Sequence, residues 1–168
     1  MTARPTGRLA QRDDGLYLMI NRLFTQPIER VWASMTRPRE LEKWIGTYTG
    51  LPESGAVRFR MSAEPDAEWQ YVTILECTPP HRFTGDFGTG DDAWRATFHL
   101  VEGDGLTTLT FGQRLRNRSE ASTIGPGWDY YLDRLMAVHT GAPLPQWEHY
   151  YPAHAQFYKD LIVTAPSR

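Results

Sequence analysis

The chain has 168 residues, a formal net charge of -2, 12% aromatic residues and one cysteine. This length fits one domain with short tails, and a domain of that size can bury a substantial core. The small negative charge argues against nucleic acid as a partner, because that binding requires a clustered basic surface. One cysteine cannot form an internal disulfide, and no apolar run is long enough for a signal peptide or a membrane span. We therefore predict a cytoplasmic protein without membrane insertion.

The first predicted elements are a tail, a strand and two short helices. Residues 1–14 are polar and are predicted to form a flexible tail, and residues 16–25 are predicted to form the first strand. Pro27 precedes apolar residues at helical spacing, which predicts a short helix that ends before Pro38. A second short helix is predicted to close at Gly46.

The period of the apolar residues then changes from that of a helix to that of a strand. Apolar and polar residues alternate in five segments: 56–62, 68–78, 81–87, 94–100 and 109–115. Such alternation is typical of an antiparallel sheet with one solvated and one covered face. Another element is therefore expected to cover the apolar face.

The covering element is predicted to be a long amphipathic helix over residues 122–140. Its apolar stripe consists of Trp128, Tyr131, Leu132, Leu135, Met136 and His139. Such a stripe is typical of a helix that packs on a core, and Gly141 is suited to end it. A short tail helix is predicted over residues 153–163.

The clustering of elements by type predicts an α+β fold. We predict a six-stranded curved antiparallel sheet around the long C-terminal helix, with two short helices after the first strand. The predicted domain covers residues 15–141. Residues 142–168 are predicted to form a C-terminal extension with a short helix.

Several short motifs agree in order and spacing with a known family. They are Pro27 to Trp32, Thr36-Arg37-Pro38, Trp44-Ile45-Gly46, Glu76 to Phe83, and Gly127-Trp128 followed by Tyr131. With these motifs the chain resembles the START-like helix-grip superfamily, also called SRPBCC or birch-pollen-allergen-like. Within it, the chain is similar to the group related to the C-terminal domain of the activator of heat-shock protein 90 ATPase.

The resemblance implies the helix-grip fold and leaves several functions open. Members of the superfamily carry lipids, sterols or polyketide-like molecules, some catalyse cyclisation or dehydration, and the eukaryotic relatives bind a chaperone. Many relatives carry a histidine where this chain has Gln113. A role that depends on that histidine is therefore not transferred to this chain.

The sequence offers few groups for chemistry. Cys77 lies in a predicted strand and is expected to be a buried structural thiol. The histidines form no pair with the spacing of a metal site, so we predict neither a metal nor a cofactor. His99 and His139 are the candidates for acid–base catalysis, although His139 is also suited to interact with the dipole of the helix that it ends.

Aromatic residues dominate the predicted covered face, and they either fill the core or line a ligand cavity between the sheet and the long helix. The predicted ligand-binding residues are Phe59, Trp69, Tyr71, Phe83, Trp94, Phe98, Phe111, Gln113, Trp128, Tyr131, Leu132 and Leu135.

Three functions follow, in order of preference. The first is non-catalytic binding of a small hydrophobic molecule of the lipid, sterol or aromatic type. The second is a protein-binding module that stimulates a heat-shock ATPase like a co-chaperone, or forms a homodimer, through the aromatic residues of the C-terminal extension. The third is a cyclase or dehydratase that uses a histidine in the cavity.

Overall fold

One sheet, antiparallel apart from the parallel pair β1 and β9, and one long helix are the main elements of the fold. The structure is a computed structural model and describes residues 3–164. The strands are β1 (Arg8–Arg12), β2 (Gly15–Phe24), β3 (Thr47–Thr49), β4 (Ala56–Arg60), β5 (Gln70–Thr78), β6 (Arg82–Phe87), β7 (Trp94–Gly103), β8 (Leu106–Leu115) and β9 (Val163–Thr164). The helices are α1 (Ile28–Thr36), α2 (Pro38–Leu41), α3 (Ala121–Thr140) and α4 (Ala155–Lys159). The strands are hydrogen-bonded in the order β3-β4-β5-β6-β7-β8-β2-β1-β9.

The predicted α+β helix-grip class is confirmed, with its curved antiparallel sheet and its long C-terminal helix. The predicted number of six strands is wrong, because residues 3–164 contain nine. The additional strands are β1, β3 and β9, which have five, three and two residues. The sequence of these segments does not show the long alternation from which the other six strands were predicted.

The N-terminal segment differs from its prediction as a flexible tail. Residues 8–12 form β1, in which Leu9 is fully buried and lies opposite Leu18 of β2 and Val163 of β9. One buried leucine and the backbone hydrogen bonds of the sheet order a segment that is otherwise polar. Residues 1–2 of the predicted tail and 165–168 of the predicted extension lie outside the described residues.

The described chain divides into two compact units. Unit 1 contains residues 3–22 and 110–164, and unit 2 contains Leu23–Leu109. The division falls inside β2 and β8, so each of these strands contributes residues to both units. It does not coincide with the domain limits of 15 and 141 that the sequence predicted.

In unit 2, hydrogen bonds connect α1 with the chain segments around it. The backbone N–H of Ile28 donates to the Glu102 carboxylate at 2.8 Å, which places a negative charge at the positive end of α1. The Trp44 indole donates to the carbonyl of Ser34 at 2.9 Å. The second predicted helix is only the four-residue α2, and Trp44 lies buried in the turns that follow it.

In unit 1, α3 matches the predicted long helix closely. It ends at Gly141, whose φ of 75° is readily adopted by glycine. An apolar cluster packs around Tyr158 of α4, and its other buried members are Leu9, Leu18, Leu115 and Ala121. Helix α4 is shorter than the predicted tail helix over residues 153–163.

A buried polar network connects α3 to the two chain ends of unit 1. Its members are Thr6, Arg22, Asp129, Asp133, Tyr150 and Tyr158, and we call it the Asp129 network. Arg22 Nη2 lies 3.0 Å from Asp129 Oδ1, and the Asp129 side chain is fully buried. Burial raises the pKa of the Tyr158 hydroxyl, and the negative charge of Asp129 raises it further. Asp129 is not part of the apolar stripe that the sequence predicted for the helix. The structure nevertheless buries it, in an ion pair with Arg22.

Candidate functional site

Two stacked ring pairs lie on the same face of the sheet in unit 2. Phe83 is opposite Phe98 and Phe87 is opposite Trp94, and residues directly opposite each other share a face. Their ring centroids are 5.2 Å and 4.4 Å apart, with interplanar angles of 19° and 15°. Phe59 contacts Phe87 edge-on at 5.7 Å. We call the side of β4–β7 that carries these five residues the ring face.

Small residues separate the two ring pairs. Gly85 lies opposite Ala96, midway between the pairs along β6 and β7. A Cβ atom on Gly85 would lie 2.9 Å from the Phe83 ring, so this ring lies across the glycine. Gly85 and Ala96 are both buried, and the missing side chain of Gly85 leaves room for the Phe83 ring.

The ring face is only partly covered. Phe59 and Phe98 are buried, whereas Phe83, Phe87 and Trp94 are half-buried. Trp32 of α1 lies 5.5 Å from Phe98 and shields that end of the face. Half-buried stacked rings form a surface to which a flat apolar molecule can add its own contacts.

Two predicted site residues, Trp69 and Tyr71, were expected on the covered face of the sheet but lie on the face opposite the rings. Tyr71 is opposite Arg58, and Trp69 lies beside Arg60, whose guanidinium is 4.8 Å from the indole ring centroid. Trp69 and Tyr71 are 42% and 47% exposed, whereas Val72 of the same strand is buried. The large apolar rings of Trp69 and Tyr71 led to the prediction that they lie on the covered face. On the opposite face they are accommodated by cation–π contact and by partial exposure to solvent.

Cys77 also differs from its prediction as a buried thiol. The register of β5 against β6 shifts between Ile74 and Glu76, and this bulge places Cys77 opposite Phe83. A bulge reverses which residues of a strand share a face. Cys77 therefore lies on the side of the ring face, near the end of β5, where it is exposed.

The two candidate catalytic histidines are not brought together on the ring face. His99 is opposite Arg82, on the face that carries Thr84 and Thr97, and thus points away from the rings. Burial lowers the pKa of His99, and the positive charge of Arg82 lowers it further. His139 lies half-buried in the last turn of α3 in unit 1.

The other predicted ligand-binding residues lie in unit 1. Five of them are buried: Phe111, Gln113, Tyr131, Leu132 and Leu135. Trp128 is half-buried, its ring centroid lies 4.1 Å from that of Phe111, and its indole N–H donates to Gln113 Oε1 at 2.6 Å. This hydrogen bond uses the carbonyl end of the Gln113 amide and fixes the orientation of both side chains.

The sequence prediction left out three residues that lie on the ring face or next to it: Phe87, Trp32 and Gln70. Phe87 shares the parity of Phe83 on β6, so the strand period alone could have identified it. Trp32 belongs to a helix whose packing partner the sequence does not specify. Gln70 is polar and starts a strand whose face was misassigned, so no pattern in the sequence indicated it.

Within residues 3–164, no group of three or more histidine, cysteine, aspartate or glutamate side chains is placed to hold a metal ion. In the same part of the chain, no helix is long and apolar enough to cross a membrane.

A known family matches most of the sequence that builds this site. Residues 25–140 match the family described as activator of Hsp90 ATPase homolog 1-like protein. The chain belongs to this family. The matched residues include every strand of the ring face and all of α3.

Solved structures share the fold of this member of the activator of Hsp90 ATPase homolog 1-like family. The solution structure of CalU16 from Micromonospora echinospora has a TM-score of 0.72 and 18% identity, over 96% of this chain and 97% of that chain. The protein encoded by gene BPP1335 from Bordetella parapertussis has a TM-score of 0.73 and 19% identity, over 98% and 95%.

DynU16, described as a putative protein in the dynemicin biosynthetic locus, has a TM-score of 0.66 and 22% identity, over 77% of this chain and 49% of that chain. At these identities the likeness demonstrates the fold alone. No curated protein sequence matches this family member.

Proposed function

We propose that this chain binds a small, uncharged, ring-containing molecule on the ring face, without catalysis. The proposal rests on one observation: two stacked ring pairs lie on either side of Gly85 and Ala96. Covering the exposed part of an aromatic ring with another apolar group is favourable, because it removes apolar area from water. Here three of the five rings stay half-buried, which leaves apolar surface for a ligand.

The chemistry of the ring face supports an uncharged ligand. On β4 and β6, the residues that share this face are Val57, Phe59, Phe83, Gly85 and Phe87, and none is charged. The charged partners Asp86 and Arg95 pair at 2.8 Å on the opposite face. A charged ligand would lose its hydration on the ring face without gaining a partner.

Replacing one ring of the face should weaken binding of an aromatic probe. We expect Trp94→Ala to weaken binding of naphthyl methyl ether about tenfold, because it removes a stacked ring and its apolar area. Trp69→Ala, on the same sheet but on the opposite face, is the matched control and should change the affinity less than about twofold. Isothermal titration calorimetry measures both. Equal losses in the two variants, or no binding to the wild type, would contradict the proposal.

The C-terminal segment of unit 1 favours a second candidate function, binding of a chaperone. Trp147 and Tyr151 stack at 5.8 Å with an interplanar angle of 10°, and both rings are exposed together with Leu144 and Phe157. Exposed stacked rings are common in protein–protein interfaces. We propose this surface as the contact through which the chain would stimulate an Hsp90-type ATPase, the activity for which its family is named.

An ATPase assay tests this second function. The wild-type chain should raise the ATPase rate of a purified Hsp90-type chaperone, and Trp147→Ser should remove at least about half of the increase, since interface tryptophans often dominate binding. Leu51→Ser is the control, because it also replaces an exposed apolar side chain by serine, but in unit 2. It should leave the increase in ATPase rate unchanged. A chain that leaves the ATPase rate unchanged would rule this function out.

A further inference from the structure

The polar side chain of Gln70 lies among the apolar residues of the ring face. In the register of β4 against β5, Gln70 is opposite Phe59. Two residues further along β5, on the same face, Val72 lies opposite Phe87. The Gln70 side chain therefore extends from the side of the sheet that carries the rings.

The Gln70 amide has no partner for its carbonyl oxygen. Oε1 is shielded from solvent and accepts no hydrogen bond from any residue between 3 and 164. Buried carbonyl oxygens are rarely left without a donor, because losing hydration without a replacement is unfavourable. Gln113 of unit 1 shows the satisfied arrangement, since its Oε1 accepts from the Trp128 indole at 2.6 Å.

Neither neighbour of Gln70 on the ring face can supply the missing donor. Phe59 and Val72 have hydrocarbon side chains, and both are buried. The face next to the amide is therefore apolar apart from one acceptor, which suits a ligand that is apolar apart from one donor.

We propose that Gln70 is the polar anchor of the ring face and selects flat aromatic ligands that carry a neutral hydroxyl or N–H group. This inference rests on the proposed function and specifies its ligand class. The half-buried Gln70 side chain turns Oε1 toward the ligand, whose donor hydrogen-bonds to it while its ring system packs on the rings of the face. A neutral donor is specified because no carboxylate shares this face on β4, β5 or β6, and Glu102, the carboxylate on this side of β7, already accepts from the Ile28 backbone N–H.

A comparison of two probes tests the proposal. Naphthol carries a hydroxyl donor, and naphthyl methyl ether has the same ring system without it. By calorimetry the wild type should bind naphthol about tenfold more tightly than the ether. The reason is that the ether has no donor and leaves the Gln70 acceptor without a hydrogen bond. Gln70→Leu should abolish this difference by weakening naphthol alone. Tyr71→Phe, which removes an outward-facing hydroxyl from the same strand, is the control and should keep it.

Thermal unfolding of Gln70→Leu without ligand gives a second readout. Because the variant removes a buried acceptor that has no partner, its Tm should equal or exceed that of the wild type. A lower Tm would show that Gln70 stabilises the fold and would overturn its role as a ligand anchor.

The outcomes separate this inference from the function on which it rests. If both probes bind equally well to the wild type, or if Gln70→Leu still prefers naphthol, the anchor is wrong and the ring face remains the binding surface. If neither probe binds to the wild type, the proposed function fails, and the anchor fails with it.

Discussion

Asp129→Ala is expected to reduce the free energy of unfolding by about 3–5 kcal/mol, the range found when one partner of a buried ion pair is removed. The Asp129 side chain is fully buried and accepts hydrogen bonds from Arg22, Thr6 and Tyr158. Without it, the Arg22 guanidinium stays buried with only part of its charge compensated by Asp133. Urea unfolding followed by circular dichroism measures the loss.

Two comparisons make this result specific. Lys43→Ala breaks an exposed pair with Glu40 and should cost less than about 1 kcal/mol. Tyr158→Phe removes a donor to Asp129, so the double variant with Asp129→Ala should lose less than the sum of the single losses. A loss below about 1 kcal/mol for Asp129→Ala, or strict additivity, would show that the Asp129 network contributes little to stability.

Gly46→Ala is expected to cost about 3 kcal/mol, at the upper end of what overpacking usually costs. A Cβ atom at this position would lie 2.1 Å from the carbonyl oxygen of Arg60 and 3.0 Å from the Cα of Met61. Both are backbone atoms, and β4 is paired with β3 immediately beyond this point, where Thr47 lies opposite Arg60. The preceding residue, Ile45, is buried, which restricts how far this segment can shift.

A second glycine gives the matched control. Gly127 lies inside α3, and an added Cβ meets no atom within 4 Å. Gly127→Ala should therefore stabilise the chain by up to about 1 kcal/mol through helix propensity. Guanidinium unfolding of both variants tests the contrast. Equal stabilities for the two would mean that the close approach at Gly46 can relax at little cost.

The sequence was sufficient to predict the elements in which apolar residues recur regularly over many positions. The odd-numbered residues of β8 from Thr107 to Leu115 are buried, as the alternation predicted, and α3 ends at Gly141. Strands β3 and β9 escaped prediction because two or three residues carry too little pattern, and β1 escaped it because three of its five residues are arginine or glutamine. Neighbouring strands determine whether such segments form strands.

The candidate site was predicted only in part, for identifiable physical reasons. Phe83, Trp94 and Phe98 share one face because the strand period is local and robust. Trp69 and Tyr71 were misplaced because β5 turns a less bulky residue, Val72, inward, and hydrophobicity alone does not set which face of an irregular strand is buried.

The polar interior of the chain was the least predictable part. Arg22 and Asp129 are 107 residues apart in sequence, and only the folded chain shows that they neutralise each other. The same holds for Gln113 and Trp128, whose hydrogen bond joins β8 to α3. Single-sequence patterns report burial of apolar residues and contain no information on such pairs.

The most direct measurement of ligand binding on the ring face is an NMR experiment on the wild-type chain with naphthol. Intermolecular nuclear Overhauser effects should connect the naphthol protons with the ring protons of Phe87 and Trp94, which are half-buried on that face. Contacts to the outward-facing Trp69 and Tyr71 instead, or no contacts at a saturating naphthol concentration, would contradict the assignment of the ring face as the binding surface.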